Sequence, residues 1–371
     1  MDYKNTTETI STKNEAHNKE TTSRLLTHAQ AIREALEQVM EKDSSVILIG
    51  EGVPDPKGIF GTTLGLQQKF GPERVMDMPV SENGMTGVCI GAAITGLRPV
   101  LVHQRIDFSL LSLDQIINNA AKWHYMFGGQ QSVPLVIRMI VGHGWGQGAQ
   151  HSQHLQAIFA HIPGLKVVMP STAYDAKGLL ISSIKDNNPV MFIEHRWLHN
   201  TSSKVPPEMY EIPLGKGKVV REGDDCTIVA SSYMTIEALR AADFLKERGI
   251  SVEVIDLRTL KPLDEGLIFT SVAKTRRMIV VDSGYYTGGF AGEIVARVSE
   301  KLFSQLRAPP SRITLPDFPS PSTPGLTKYY YPRYNDIVMK VMEILGRPET
   351  IPFPVENAPL DIPDASFIGP F

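Results

Sequence analysis

The chain has 371 residues, of which 42% are hydrophobic and 21% are charged, and its formal net charge is −3. This length predicts two domains with sizeable cores, and the charge excludes both a basic nucleic-acid-binding surface and a polybasic membrane anchor. The sequence also lacks an apolar run long enough to span a bilayer.

The first 24 residues are polar and carry charges of both signs. This composition is typical of neither a secretory signal nor a mitochondrial transit peptide, so it predicts a disordered tail on a cytoplasmic protein. The two cysteines, Cys89 and Cys226, each lie beside or within an apolar run. We interpret them as buried thiols of a reducing compartment rather than as a disulfide or a zinc site.

Strand-like and helix-like segments alternate between residue 25 and residue 200. Thr27 and Gln30 have the spacing of a capping box at the start of a helix, and the apolar run 46–49 is typical of a buried strand. Further strands are predicted at 99–103, 133–139, 165–169 and 190–194. Further helices are predicted at 85–95, 110–126, 151–161 and 174–185. This alternation predicts a parallel sheet covered on both faces.

The segment 201–218 is polar and carries several prolines and glycines, which predicts a linker between domains at 25–200 and 219–346. Strands of the second domain are predicted at 226–230, 252–255, 278–281 and 313–315. Its helices are predicted at 236–248, 290–306 and 336–345. The final segment, 347–371, is proline-rich, which predicts an extended tail. The expected fold class is therefore α/β, with two doubly wound domains.

Glu82 stands just before an apolar segment with regularly spaced glycines that is predicted as a helix. It could stabilise the helix N-terminus as a first-turn carboxylate, with Ser81 as the capping residue. It could instead be a carboxyl group in an apolar cleft, where burial raises its pKa, as is typical of catalytic acids. The spacing alone leaves both interpretations open.

A second candidate site is the segment 142–148, which has glycine at every other position and runs into a predicted helix at His151. Glycine backbone can approach a ligand closely, and a histidine at a helix N-terminus has lowered basicity and could polarise a carbonyl group. A flexible surface loop with a solvated histidine explains the same pattern. Both interpretations stay open at this point.

Several longer strings resemble the β subunits of the pyruvate and branched-chain 2-oxo acid dehydrogenases. They are IGEGV, GPERVMDMPVSENGMTGVCIGAAITGLRPV, LDQIINNAAKWHYMFGGQQSVPLVIR, GAQHSQ, HIPGLKVVMPSTAYDAKGLLISSIKDNNPV and FIEH. The resemblance extends from about residue 27 to residue 345. It implies a pyrimidine-binding domain, a transketolase-type C-terminal domain, thiamine diphosphate as cofactor, and an assembly of two α and two β chains.

The resemblance also implies roles for individual residues. Glu82 would hydrogen-bond a ring nitrogen of the cofactor's pyrimidine and promote its imino tautomer, and Phe108 would line the pyrimidine pocket. Glu51 would lie behind the cofactor in a proton relay, and His151 would orient the substrate or the acyl acceptor. A potassium site of backbone carbonyls would fall on Leu135, Ser183, Ile184, Asp186 and Asn188.

Half of the expected active site is missing from this sequence. The family's diphosphate-binding signature is Gly-Asp-Gly, followed some thirty residues later by asparagine, and Gly223-Asp224-Asp225 does not match it. The magnesium and diphosphate ligands must therefore come from another chain. This absence predicts an obligate α subunit.

The segment before the pocket phenylalanine departs from the pyruvate-type pattern, because it is polar where that pattern is apolar and aromatic. His103 and Arg105 would add positive charge and hydrogen-bond donors near the reacting centre. We hypothesise a donor that is larger or more polar than pyruvate and carries a second anionic group. An ion pair of Arg105 with Asp107, or across an interface, is the open alternative.

The expected activity is oxidative decarboxylation of a 2-oxo acid, with transfer of the acyl group to a lipoyl acyltransferase component. A split transketolase-like or acyloin-forming carboligase, which uses an aldehyde acceptor, is the alternative enzyme. A scaffold subunit without catalytic residues is the third hypothesis. The joint presence of Glu51, Glu82, Phe108 and His151 argues against the scaffold.

Overall fold

The computed structural model describes residues 24–144, 146–347, 352–354, 362–363 and 367. The predicted tails, 1–24 and 347–371, lie almost entirely outside these residues. The helices are α1 His28–Lys42, α2 Leu66–Phe70, α3 Glu82–Ile94, α4 Ala121–Met126, α5 Gln156–His161, α6 Ala173–Lys185, α7 Tyr233–Lys246, α8 Glu265–Thr275, α9 Phe290–Leu302, α10 Pro324–Thr327 and α11 Tyr334–Ile344. The strands are β1 Arg24–Thr27, β2 Val46–Gly50, β3 Val75–Met76, β4 Arg98–His103, β5 Val136–Val141, β6 Lys166–Val168, β7 Val190–His195, β8 Ser202–Val205, β9 Lys218–Arg221, β10 Cys226–Ala230, β11 Val252–Asp256, β12 Thr259–Lys261, β13 Met278–Tyr285 and β14 Ser311–Leu315.

The first sheet has seven strands in the order β12-β6-β7-β5-β4-β2-β3, and all pairs are parallel except β12 with β6. Alternate residues of β5 belong to two separate cores, Ile137 and Met139 to one and Val136 and Ile140 to the other. Helices therefore cover both faces, and this is why the strand is apolar except at Arg138, whose buried charge is paired with Glu194.

The second sheet has the order β14-β13-β10-β11-β9, with only the edge strand β9 antiparallel. Helices α7 and α11 pack on one face and α8 and α9 on the other. The predicted α/β class with two doubly wound sheets is confirmed. Strand β12 follows the first strands of the second sheet in the chain but joins the edge of the first sheet, so the two halves share a continuous structure.

The local predictions were accurate where periodicity was strong. The capping box of Thr27 and Gln30 is present, and β10 coincides with the predicted strand. The helix predicted at 110–126 is wrong over its first half, which forms a 3₁₀ segment, Ile106–Ser112, and a π segment, Gln115–Ala120. Among the described residues, no helix is both long enough and apolar enough to cross a membrane.

The helix predicted from His151 is also wrong at its start. Ala149–His151 forms a short 3₁₀ turn, and α5 begins only at Gln156. Side chains of the intervening residues bond to other parts of the fold, which holds the backbone out of helical geometry. His151 therefore does not lie at the N-terminus of an α-helix.

Candidate active site

Four parallel strands of the first sheet end side by side, and we call this the carboxyl edge. Glu51 follows β2, His103 ends β4, Gly142 follows β5 and His195 ends β7. The strand registers place these ends next to one another. Ligands of open parallel sheets bind beyond this edge, so it is the first place to look for chemistry.

Glu82 is the first residue of α3, and only 6% of its surface is exposed. No residue in the described part of the chain donates a hydrogen bond to its carboxylate. The predicted capping by Ser81 is wrong, because that side chain makes no cap hydrogen bond. Its carboxylate oxygens keep some contact with solvent. A mostly buried carboxylate with no donor of its own is available to a ligand, which favours a functional role.

Glu51 lies close enough to Glu82 for their charges to interact. Burial raises the pKa of Glu51, and the negative charges of Glu82 and Asp77 raise it further. Its backbone carbonyl accepts a hydrogen bond from Gln104 Nε2 at 2.9 Å. The structure therefore brings two of the predicted site carboxyls into one electrostatic environment, where one of them holds a proton more readily than usual.

Phe108 and His151 also come together at this edge. Their rings meet edge to face, with centroids 5.3 Å apart. Phe108 lies in the 3₁₀ segment that follows β4, whereas His151 is exposed at the far end of the loop that follows β5. Residues that are 43 positions apart in sequence thus share one contact.

Residues 142–153, which we call the glycine loop, are anchored to the carboxyl edge at both ends. Arg105 Nη1 donates to the carbonyl of Gly142 at 2.6 Å, and Trp197 Nε1 donates to that of His143 at 2.6 Å. Gly142 has φ of +96°, and a Cβ there would lie 2.7 Å from the His195 ring. Only glycine fits this position, for both conformational and steric reasons.

His103 and Arg105, the predicted substrate residues, are both buried. Among the described residues, His103 Nε2 and Arg105 Nη2 have no hydrogen-bond partner. Burial lowers the pKa of His103 to about 4 and that of Arg105 to about 10. The alternative Arg105–Asp107 ion pair is not formed within the described residues, because Asp107 Oδ1 accepts from Gln153 at 2.8 Å instead.

Further residues of this edge were not predicted as site residues. The buried ring of His154 lies 5.6 Å from that of His195, and burial lowers the pKa of His154 to about 3. Arg196 lies over the ring of Phe60 at 4.7 Å. Arg196 and Phe60 line a cavity of about 390 Å³. Gln104 and Gly52, the residue after Glu51, line the same cavity. Two of the resembling strings come close to this cavity: IGEGV contains Gly52, and FIEH stops one residue before Arg196.

The residues predicted to bind potassium lie at the opposite end of the first sheet, around the turn from α6 to β7. Arg98 Nη1 donates to the carbonyls of Ile184 and Asp186 at 3.0 and 3.1 Å. The carbonyl of Leu135 accepts from the backbone N–H of Val190 at 2.9 Å. The carbonyl of Ser183 accepts from the backbone N–H of Asp186 at 3.3 Å. Four of the five predicted carbonyls therefore already accept hydrogen bonds, although an oxygen with one donor retains a second lone pair.

Comparison with known proteins gives the same outline. The transketolase pyrimidine-binding domain family matches residues 25–201, and the transketolase C-terminal domain family matches residues 215–337. A solved structure described as an inactive β4 tetramer of a split-gene transketolase is similar in fold, with a TM-score of 0.71 and 23% identity over 87% of this chain and 99% of that chain.

Two curated relatives are similar over nearly their whole length. The chain is 45% identical to the β subunit of the acetoin:2,6-dichlorophenolindophenol oxidoreductase of Bacillus subtilis, over 88% of this chain and 99% of the relative. It is 41% identical to the pyruvate dehydrogenase E1 β subunit of Rickettsia conorii, over 86% and 98%. The chain therefore belongs to the transketolase-like family of two-domain oxidoreductase β subunits that includes these two proteins.

Proposed function

We propose that this chain is the β subunit of a thiamine-diphosphate-dependent 2-oxo acid dehydrogenase and supplies half of each active site. The observation that carries the proposal is Glu82, a buried first-turn carboxylate that has no hydrogen-bond donor and lies within electrostatic range of Glu51. The match to a pyrimidine-binding domain supports thiamine diphosphate as the cofactor.

Glu82 suits the hydrogen bond that a protonated pyrimidine nitrogen would donate. Its carboxylate is acceptor-only when ionised, and no donor among the described residues competes for it. When bound, thiamine diphosphate supplies a nucleophilic carbon that holds the electrons left when carbon dioxide departs. Glu82 would hold and return a proton at the pyrimidine nitrogen, and the raised pKa of Glu51 suits a partner in that proton movement.

Phe108 and His151 would form the other wall of the site. The aromatic face of Phe108 can stack on a planar ring, and the exposed His151 can donate a hydrogen bond to a substrate oxygen. Arg105 Nη2 would donate to an anionic group of the donor, because this buried guanidinium lacks a second partner. This arrangement supports the hypothesis of a donor more polar than pyruvate.

The α subunit would contribute the remainder of the site. The diphosphate signature is absent, and Gly223 lies in a tight turn where a Cβ would lie 2.2 Å from the backbone of Val252. We therefore assign magnesium and the diphosphate to α, in an assembly of two α and two β chains. The relatives' names, which specify a β subunit, support such a partner.

Three finer assignments belong to the same proposal. The pyrimidine-binding domain would comprise 25–200 and the C-terminal domain 219–346, joined by 201–218, and the ranges of the two family matches support this division. Potassium would bind at the α6–β7 turn. A lipoyl acyltransferase component would receive the acyl group, as in 2-oxo acid dehydrogenases generally.

Cleavage of an acyloin is the second candidate function. The relative at 45% identity is named for acetoin rather than for a 2-oxo acid, and a pyruvate dehydrogenase subunit follows at 44%. Both reactions would use Glu82 and the same cofactor chemistry. They differ in whether carbon dioxide or an aldehyde leaves the donor.

The test is donor-dependent reduction of 2,6-dichlorophenolindophenol by the co-expressed α and β chains with thiamine diphosphate and magnesium. The panel would contain pyruvate, branched-chain and dicarboxylic 2-oxo acids, and acetoin. We expect one 2-oxo acid to dominate, and Glu82→Gln to lower its turnover by at least about 100-fold. Exclusive activity with acetoin would establish the second candidate.

Glu41→Gln is the matched control, because Glu41 is an exposed carboxylate on α1 that pairs with Lys69. It should leave turnover unchanged. Full activity in Glu82→Gln would contradict the proposed function, provided that cofactor binding and the α–β assembly are demonstrated for both variants.

A further inference from the structure

Asp107 makes an unusual connection to the glycine loop. It is buried, with 8% of its surface exposed, and directly precedes Phe108. Its Oδ1 accepts hydrogen bonds from both the side-chain amide and the backbone N–H of Gln153, at 2.8 and 3.4 Å. Gln153 in turn lies two residues beyond His151.

Among the described residues, the other hydrogen bonds of the glycine loop are internal to it or lie at its first residues. His143 Nδ1 bonds to Ser152 Oγ at 2.9 Å, within the loop. The backbone bonds from Gln147 to Gly144 and from His151 to Gly148 are local as well. The loop thus depends for its position on the contacts of Gly142 and His143 at one end and on the Asp107–Gln153 hydrogen bonds at the other.

Two neighbouring contacts therefore link the same pair of segments. Asp107 holds Gln153, and the adjacent Phe108 meets the ring of His151. A hydrogen-bonded pair and a ring pair, side by side, restrict both the translation and the rotation of one segment relative to the other. Such restriction is how an exposed side chain on a glycine-rich loop is kept in a productive orientation.

We propose that Asp107 is a positioning residue that acts through Gln153 to hold His151 against Phe108 at the substrate. The inference rests on the proposed function, since it presumes that His151 contacts the donor or the acceptor. The inference adds to the proposed active site a residue, Asp107, that does not itself contact the reacting atoms.

The chemistry of Asp107 fits this role better than a stabilising one. No arginine or lysine lies within ion-pair distance of it among the described residues, whereas the buried Glu194 is paired with Arg138 at 2.6 Å. Burial raises the pKa of Asp107, while the hydrogen bonds from Gln153 oppose that rise. The charge of Arg105 also acts on Asp107, but from beyond ion-pair distance. A buried carboxylate without a directly paired cation is costly for stability alone. As an acceptor-only group, it orients both donors of Gln153 unambiguously.

The test is a mutant cycle in the co-expressed α–β enzyme, with the donor identified by the panel. We expect Asp107→Ala to lower kcat by about 10- to 50-fold with less than about a threefold change in KM. Asp107→Asn keeps an acceptor and should restore at least a third of the activity, and Gln153→Ala should reproduce the loss. In a His151→Ala background, Asp107→Ala should cost less than about twofold.

The control is Asp282→Ala, because Asp282 is another buried carboxylate that accepts from a glutamine amide, that of Gln156, at 2.9 Å. We expect a similar loss of stability from this substitution. Asp282 makes no hydrogen bond to the described residues of the glycine loop, so kcat per folded enzyme should be retained. Additive losses from Asp107→Ala and His151→Ala would overturn this inference alone. Full turnover in His151→Ala would overturn the inference together with the role assigned to His151, and Glu82→Gln would report separately on the proposed function.

Discussion

The two ends of the first sheet differ in whether their polar side chains have hydrogen-bond partners among the described residues. At the end where strands begin, the amino edge, Arg98 bonds to the carbonyls of Ile184 and Asp186, and Lys166 pairs with the carboxylate of Asp186. At the carboxyl edge, His103 Nε2 and Arg105 Nη2 are buried and have no hydrogen-bond partner in the described part of the chain. One end is satisfied from within the chain and the other is not.

This difference separates the polar residues that stabilise the first sheet from those that are available to a ligand. Buried polar groups normally have partners, and each exception costs free energy. The same strands carry both ends, so the exceptions at the carboxyl edge do not reflect a poorly packed sheet. Under the proposed function these groups are kept for a ligand, so substitutions at the two ends should affect different measurements.

The largest effect should come from acidification of the carboxyl edge. Burial lowers the pKa of His103 to about 4 and of His154 to about 3, from an ordinary value near 6.5. Below pH 6.5 the unfolded chain binds more protons than the folded one, so the free energy of unfolding falls with pH until the folded pKa is reached. The two histidines together should remove about 4 kcal/mol between pH 7 and pH 5.

Thermal or urea unfolding at these pH values measures the loss. His154→Phe should flatten the dependence on pH, because the variant has one buried titrating group fewer. The exposed His124 provides the matched control, and His124→Gln should leave the slope unchanged. Equal slopes in all three proteins would refute the assignment.

Arg105→Ala should come next, with an effect on activity rather than on stability. Loss of a charged donor is worth about 1.5–3 kcal/mol, so kcat/KM for an anionic donor should fall by about 10- to 100-fold. Neutral donors should lose far less, and the melting temperature should hold or rise because an unpaired buried charge is removed. A uniform loss across donors would argue that Arg105 only anchors Gly142.

Arg98→Ala at the amino edge should show the reverse pattern. Arg98 also donates to Asn187 Oδ1 at 2.7 Å, and its side chain is partly exposed. We expect the free energy of unfolding to fall by about 1–2 kcal/mol, with kcat per folded enzyme unchanged. A drop in kcat with unaltered stability would remove the distinction between the two edges.

The smallest effect should come from potassium at the same edge. Arg98 already bonds to two of the carbonyls assigned to the ion, and its charge opposes a second cation. At a potassium concentration equal to its Kd, binding would stabilise the fold by about 0.4 kcal/mol. Unfolding in potassium chloride against sodium chloride of equal ionic strength measures this, and identical midpoints would exclude the site.

The sequence by itself determined the alternation of strands and helices and the α/β class. Strand β10 and the capping box at Thr27 followed from residues that are neighbours in the chain. Resemblance to known β subunits then selected Glu51, Glu82, Phe108 and His151, which the fold brings to one edge of the sheet. Apolar periodicity and local capping are short-range properties, so these features were open to prediction.

Only the tertiary structure decided how the polar groups of that edge are paired. The Asp107–Gln153 bond, the approach of His154 to His195, and the cavity beside Arg196 join segments from different strands. The same contacts explain why the helix predicted from His151 is wrong at its start, since the side chains of Ser152 and Gln153 bond to His143 and Asp107 instead of continuing a helix. Strand order brings these residues together, and strand order is set by the whole core rather than by any local run of sequence.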